Sequence, residues 1–166
     1  MTIGLAAGNY DGVAGIIFYL TAYTFMNLGA FGIVAIIEGR NETNLSITSY
    51  SGLASQHPML AAMLSVFMFS LAGIPPFAGF FGKYYIFLAA IKADLVWLAI
   101  IGVFASVISV YFYLRIIVLM YFKDSEKEIS LSSHSSGLLA VIISVLLVIV
   151  LGLAPGTIIE IITSYL

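Results

Sequence analysis

The chain has 166 residues, 62% of them hydrophobic and 8% charged, with a mean hydropathy of +1.15 and a formal net charge of −2. A soluble domain carries about 25% charged residues, so this chain has too little polar side chain to cover a globule, and its solvent must be mostly lipid. The small negative charge argues against a nucleic-acid partner, and the lack of cysteine excludes disulfides, thiolate metal sites, iron–sulfur ligation and a cysteine nucleophile. His57 and His134 fall in polar connections without metal-ligand spacing, so no metal site is expected. The first residues lack the basic start and cleavage pattern of a signal peptide.

A membrane helix needs roughly 20 apolar residues, and four stretches qualify, predicting an all-α, polytopic membrane bundle. The first runs from about Val13 to Ile37. It carries Thr21, Tyr23, Thr24 and Asn27. Thr24 and Asn27 are three apart and share a face with Thr21; they either hydrogen-bond between helices or line a water path. Glu38 marks the end of the span. A polar connection, EGRNETNLSITSYSGLASQHP, fills residues 38 to 58, and its 44–51 portion suits a short interfacial helix.

The second stretch, about Pro58 to Ile91, holds LAGIPPFAGFFGKYY at residues 71 to 85. About 34 residues at 1.5 Å each give roughly 50 Å, well above a hydrocarbon core of about 30 Å. Proline removes a helical hydrogen bond and clashes with the preceding turn, so a break is expected at Gly73, Ile74, Pro75 and Pro76, splitting the span into two half-helices with polar backbone ends deep in the membrane. Lys83 lies nine residues before Lys92, roughly 13 Å from the nearer interface and close to the midplane. Snorkelling recovers only about 6 Å of that, and a central lysine costs about 2.5–3.5 kcal/mol on insertion scales. Such residues mark ion or proton pathways; the plainer reading is that Lys83 snorkels or pairs with a carboxylate to lock helices together. Gly79 and Gly82 are read as sites of close helix packing.

The third stretch, about Leu95 to Phe122, carries Ser106, Ser109, Tyr111, Tyr113 and Arg115. Arg115 is about 10 Å from the Phe122 end, so snorkelling to headgroups accounts for it. A second polar connection, KDSEKEISLSSHSS, fills residues 123 to 136. The fourth stretch, about Gly137 to Leu153, continues with a kink past Pro155 and Gly156 toward Tyr165; Ser144 is its polar interior residue, and Glu160 is expected to be solvated near the outer surface. Tyr10, Tyr50, Trp97, Tyr121 and Tyr165 suit interfacial belts. The two connections hold Arg40, Lys123 and Lys127, against Lys92 on the other side, which puts the connections in the cytoplasm and both termini outside. A polar path past Lys83 would draw on Thr24, Asn27, Tyr84 and Arg115. No residue set supports hydrolytic or redox chemistry.

FSLAGIPPFAGFFGKYYIF, residues 69 to 87, resembles the broken-helix motif of the antiporter-like membrane subunits of respiratory complex I, and its GFFGKYY ending is most similar to the N-type subunits of bacterial NADH–quinone oxidoreductase. FYLTAYTFMNLGAFGIV (residues 18 to 34) resembles the family's eleventh helix, YSGLASQHP (50 to 58) the connection after it, and SVYFYLRII (109 to 117) the thirteenth helix. The resemblance implies fourteen helices with two inverted repeats, each holding one broken helix, of which this chain matches about the last four. It implies a bacterial inner-membrane location and proton translocation coupled to quinone reduction. Lys83 would be the proton-relay lysine of the second repeat. No cofactor is implied in this chain; quinone, FMN and iron–sulfur clusters are expected in other subunits. The implied partners are those subunits, the lipid bilayer and the remainder of the antiporter-like subunit, supplied elsewhere if this is a fragment or split product. Two readings compete: a subunit of a sodium–proton antiporter or membrane-bound hydrogenase complex, and a non-transporting scaffold in which Lys83 only pairs helices.

Overall fold

The structure, a computed structural model, describes residues 1–38, 46–124, 131 and 135–166. Arg40, Asn44, Lys127 and His134, used above for charge or connection arguments, lie outside the described residues. Eight α-helices are described: α1 (Thr2–Ala7), α2 (Tyr10–Glu38), α3 (Leu53–Gln56), α4 (Pro58–Ala72), α5 (Ala78–Lys92), α6 (Val96–Phe122), α7 (Ser135–Leu153) and α8 (Pro155–Ser164), with a 3₁₀ turn at Ile47–Tyr50. The 44–51 portion of the first connection, expected as one short helix, holds that turn, and α3 follows it.

Among the described residues two helices, α2 and α6, are each long and apolar enough to cross a bilayer, and α7 and α8 pass the same test together as a pair bent by 86°, the shape of a broken span or a re-entrant loop. Pro155 stands at the first turn of α8, where its missing N–H costs nothing but its ring ends the helix behind it. The stretch expected as one broken span is two helices of 15 residues each, α4 and α5, about 22 Å apiece. The first helix begins three residues earlier than the expected 13–37, because Asn9 caps it: its Oδ1 accepts from the Gly12 N–H at 2.7 Å, as helix-start side chains do. The Asn9 amide also donates to the Ala89 carbonyl at 3.1 Å, tying the start of α2 to α5. Close by, Lys92 and Asp11 form an ion pair at 2.6 Å with both side chains about half exposed.

α2 is the central helix. It packs along α7 on one side and α5 on another, while α4 packs on α6. Lipid gives no hydrophobic force between such helices, so close fit must hold them. Glycines supply it: the Phe67 ring of α4 lies directly against Gly29 of α2, in space a Cβ would occupy. Phe18, Met26, Ile33, Phe67, Met120 and Val141 are fully buried in the resulting core. The face of α6 carrying Trp97, Phe104, Ile108 and Phe112 is exposed.

Candidate functional site at the α4–α5 break

α4 ends because Gly73 adopts φ 85, a left-handed conformation that glycine enters without steric cost. The Gly73 N–H then reaches the Ser70 carbonyl at 3.0 Å, and the Ile74 N–H reaches Phe69 at 3.0 Å. These are the two bonds of a Schellman motif. They leave the carbonyls of Leu71 and Ala72 without backbone donors. The Lys83 ammonium, one and a half turns into α5, fills that gap: its Nζ donates to Leu71 O at 3.0 Å and to Ala72 O at 3.1 Å. A cation is favoured there twice over, by the two carbonyl dipoles and by the negative end of the helix macrodipole. Gly73 permits the approach, since a Cβ on it would lie 3.1 Å from Nζ.

The start of α5 is satisfied just as locally. The Gly79 N–H donates to Ser70 Oγ at 3.0 Å, and Gly79 is so close to the Ser70 carbonyl that a Cβ would overlap it. Phe69 and Phe77 stack across the break at 6.0 Å between centroids. Pro75 and Pro76, joined by a cis peptide bond, turn the chain between the two helices, and the Pro76 carbonyl abuts Gly152 near the end of α7. Among the described residues, the Lys83 ammonium pairs with these two backbone oxygens.

Two cavities flank this point. One, about 320 Å³, runs between α5 and α6, with Lys83, Gly73, Tyr84 and Ser106 among its lining residues. The other, about 370 Å³, is lined by Leu71, Asn27, Tyr113 and, from the 3₁₀ turn, Tyr50. Leu71 and Ala72, whose carbonyls share the one ammonium, thus line different cavities.

The other expected path residues separate. Asn27 faces the second cavity, its amide donating to the Tyr23 carbonyl at 2.8 Å. Tyr84 lines the first beside Lys83. Thr24 is exposed and spends its hydroxyl on the Leu20 carbonyl of its own helix at 2.9 Å, so it does not share the cavity with Asn27. Arg115 is exposed on α6 and lines neither cavity. Ser70, which sequence reasoning did not single out, bonds across the break; no pattern nine residues before Gly79 announces that role. Among the described residues no group of three or more His, Cys, Asp or Glu is placed to hold a metal ion.

Discontinuous helices whose polar backbone ends meet a charged side chain recur at the binding sites of transporter folds. Residues 1–109 match the family described as NADH:quinone oxidoreductase/Mrp antiporter, transmembrane. The chain belongs to this family. It is 45% identical over 159 residues to NADH-quinone oxidoreductase subunit N of Trichlorobacter lovleyi, covering 95% of this chain and 33% of that protein. It is 42% identical over 158 residues to the subunit N of Rhodospirillum rubrum, covering 95% of this chain and 32% of that protein. A chain in the structure of respiratory complex I from Thermus thermophilus with bound aureothin superposes with a TM-score of 0.78 at 28% identity, over 95% of this chain and 36% of that one. The chain spans about a third of the length of the curated relatives it matches.

Proposed function

We propose that this chain is the C-terminal part of an N-type antiporter-like subunit of a bacterial NADH–quinone oxidoreductase, and that Lys83 is a proton-relay residue of its membrane path. The observation that carries the reading is the pairing of Lys83 Nζ with the Leu71 and Ala72 carbonyls at 3.0 and 3.1 Å, where Lys83 and Ala72 line one cavity and Leu71 lines the other. An ammonium has three donors. Two are engaged by the helix end, so the third proton can leave while the neutral amine keeps both carbonyl bonds. The break therefore stays satisfied in either protonation state, which a relay requires and a simple structural ion pair does not.

The cavity lined by Tyr50 lies at the α3–α4 end of the bundle, and the cavity lined by Ile91 lies toward Lys92. With the connections in the cytoplasm and the termini outside, these would be the inner and outer approaches to Lys83. The location is the bacterial inner membrane, and the partners are the other membrane subunits of the complex. The redox cofactors (FMN, iron–sulfur clusters and quinone) belong to other subunits, so this chain contributes to an oxidoreductase without a redox centre of its own. The family description also names Mrp antiporters, which keeps a sodium–proton antiporter as the second reading; sodium dependence of transport separates the two.

The test is Lys83→Met in the assembled complex, with NADH-driven proton uptake measured in closed vesicles and assembly checked by native electrophoresis. The relay reading expects assembly to persist and uptake to fall at least tenfold. Uptake at the unmodified rate in an assembled complex overturns it and leaves Lys83 a structural cap.

A further inference from the structure

The first turn of α5 is held from two sides. From α4, Ser70 Oγ accepts the Gly79 N–H at 3.0 Å. From α7, Gly152 is seated on the connecting backbone itself. A Cβ there would overlap the Pro76 carbonyl and stand 2.9 Å from the Ala78 nitrogen and 3.0 Å from the Phe77 carbonyl carbon. All three are main-chain atoms, which cannot swing aside as a side chain does. Phe77 directly precedes α5 and Ala78 is its first residue; Ala78 is fully buried. Lys83 follows Ala78 by five residues on the same helix, about 7.5 Å along its axis, so a shift of the helix start is carried to the lysine.

The end of α7 is fixed in turn. Ala154 leaves the helical conformation with φ −125 and ψ 51, and Pro155 opens α8, which is bent 86° from α7. Pro155 has no N–H, so it cannot donate to the Leu151 carbonyl as a continuous helix would. α8 packs on α2, with Ile158, Ile159 and Ile162 against the core. The break after α4 and the bend after α7 thus meet at Pro76 and Gly152. The geometry has little slack. The Lys83 bonds, at 3.0 and 3.1 Å, stretch by only about 0.5 Å before they reach the roughly 3.6 Å at which no hydrogen bond remains.

We propose that Gly152 is a positioning residue for Lys83. By admitting the backbone of residues 76 to 78 against the bend between α7 and α8, it sets where α5 begins, and so keeps the ammonium within reach of the Leu71 and Ala72 carbonyls. The inference rests on the reading of Lys83 as a relay residue. Gly152 acts on the lysine through the α5 backbone. If the bend moves, α5 shifts against the end of α4, one or both carbonyl bonds lengthen, and the proton that Lys83 passes on starts from a poorer geometry. The setting of α8, more than seventy residues from Lys83 in sequence, thereby becomes part of the frame of the proton site.

The test uses the assembled complex in closed vesicles and compares Gly152→Ala and Pro155→Ala with Lys83→Met and Gly32→Ala. Pro155→Ala adds no bulk and restores the N–H that lets α7 run straight on, so it disturbs the bend without crowding it. Gly32→Ala is the control. Its methyl would meet a Val141 methyl at 2.8 Å, on the same α7 but eleven residues, about 16 Å, from Gly152. The expected result is a fall in proton uptake per assembled complex of at least threefold for Gly152→Ala and Pro155→Ala, with a larger slowing in heavy water than the unmodified complex shows, and neither change for Gly32→Ala. A merely structural glycine would lower the amount of assembled complex and leave the heavy-water effect alone. If Gly152→Ala does not assemble, Pro155→Ala decides by the same criteria; if neither assembles, the bend is a folding element and the positioning role is overturned. Uptake at the unmodified rate in the assembled variants, alongside loss in Lys83→Met, refutes the positioning role and leaves the lysine reading intact. A fall with an unchanged heavy-water effect likewise counts against it. Full uptake in Lys83→Met removes the lysine reading and the positioning role with it.

Discussion

Gly73→Ala isolates the coupling between the helix break and Lys83. Alanine at φ 85 costs about 1–2 kcal/mol for the left-handed backbone alone. The new Cβ would stand 3.1 Å from Lys83 Nζ and 3.2 Å from its Cδ, so the side chain must move and at least one carbonyl bond lengthens or breaks. A hydrogen bond to a charged group contributes about 1.5–3 kcal/mol, which brings the expected loss to about 3–5 kcal/mol. Gly8→Ala provides the reference, because Gly8 has φ 61 but nothing within 4 Å of its would-be Cβ; it should lose only the backbone part. Stability is read from SDS titration in mixed micelles, followed by far-ultraviolet circular dichroism. The same Gly73→Ala change on a Lys83→Ala background should cost no more than Gly8→Ala, since the double-mutant cycle removes the shared contact. Equal losses on both backgrounds would sink the claim that Gly73 exists to admit the lysine.

Gly79→Ala should be far harsher, losing more than about 3 kcal/mol and most of the assembled protein on a native gel, because the Cβ would overlap rigid backbone at Ser70 rather than a flexible side chain. Gly29→Ala should destabilise by about 1–3 kcal/mol in the micelle titration, since its Cβ would overlap the Phe67 ring. Phe67→Leu in the same chain should recover part of that. Asp11→Asn removes the Lys92 partner at a site where both side chains are about half exposed; it should cost under about 1 kcal/mol, and less in high salt. Gly156→Ala, with nothing within 4 Å of the new methyl, should be neutral or slightly stabilising in that titration, as Ala exceeds Gly in helix propensity by about 1 kcal/mol.

The helices and the break were legible because they depend on local chemistry. Apolar runs of sufficient length must be helical in lipid, and Pro75, Pro76 and Gly73 end a helix through their own backbone preferences. Counting residues along that frame gave Lys83 an expected depth but could not give its partners, because the acceptors are carbonyls eleven and twelve residues away, and every residue carries a carbonyl. Ser70 to Gly79, Asn9 to Ala89 and Asp11 to Lys92 were hidden for a related reason: such bonds depend on where two helices meet, and Asp11 and Lys92 are 81 residues apart. The polar stripe on α2 shows the same limit. In water, polar residues face outward and apolar ones inward, so the pattern reveals the buried side. In lipid both sides are apolar, and Thr24 and Asn27, equally polar in sequence, take opposite roles only when the neighbours are in place. Composition and local backbone chemistry thus determined that this chain is a membrane bundle with a lysine beside a broken helix. Tertiary packing alone decided that the lysine caps the break with its ammonium, held by the Leu71 and Ala72 carbonyls.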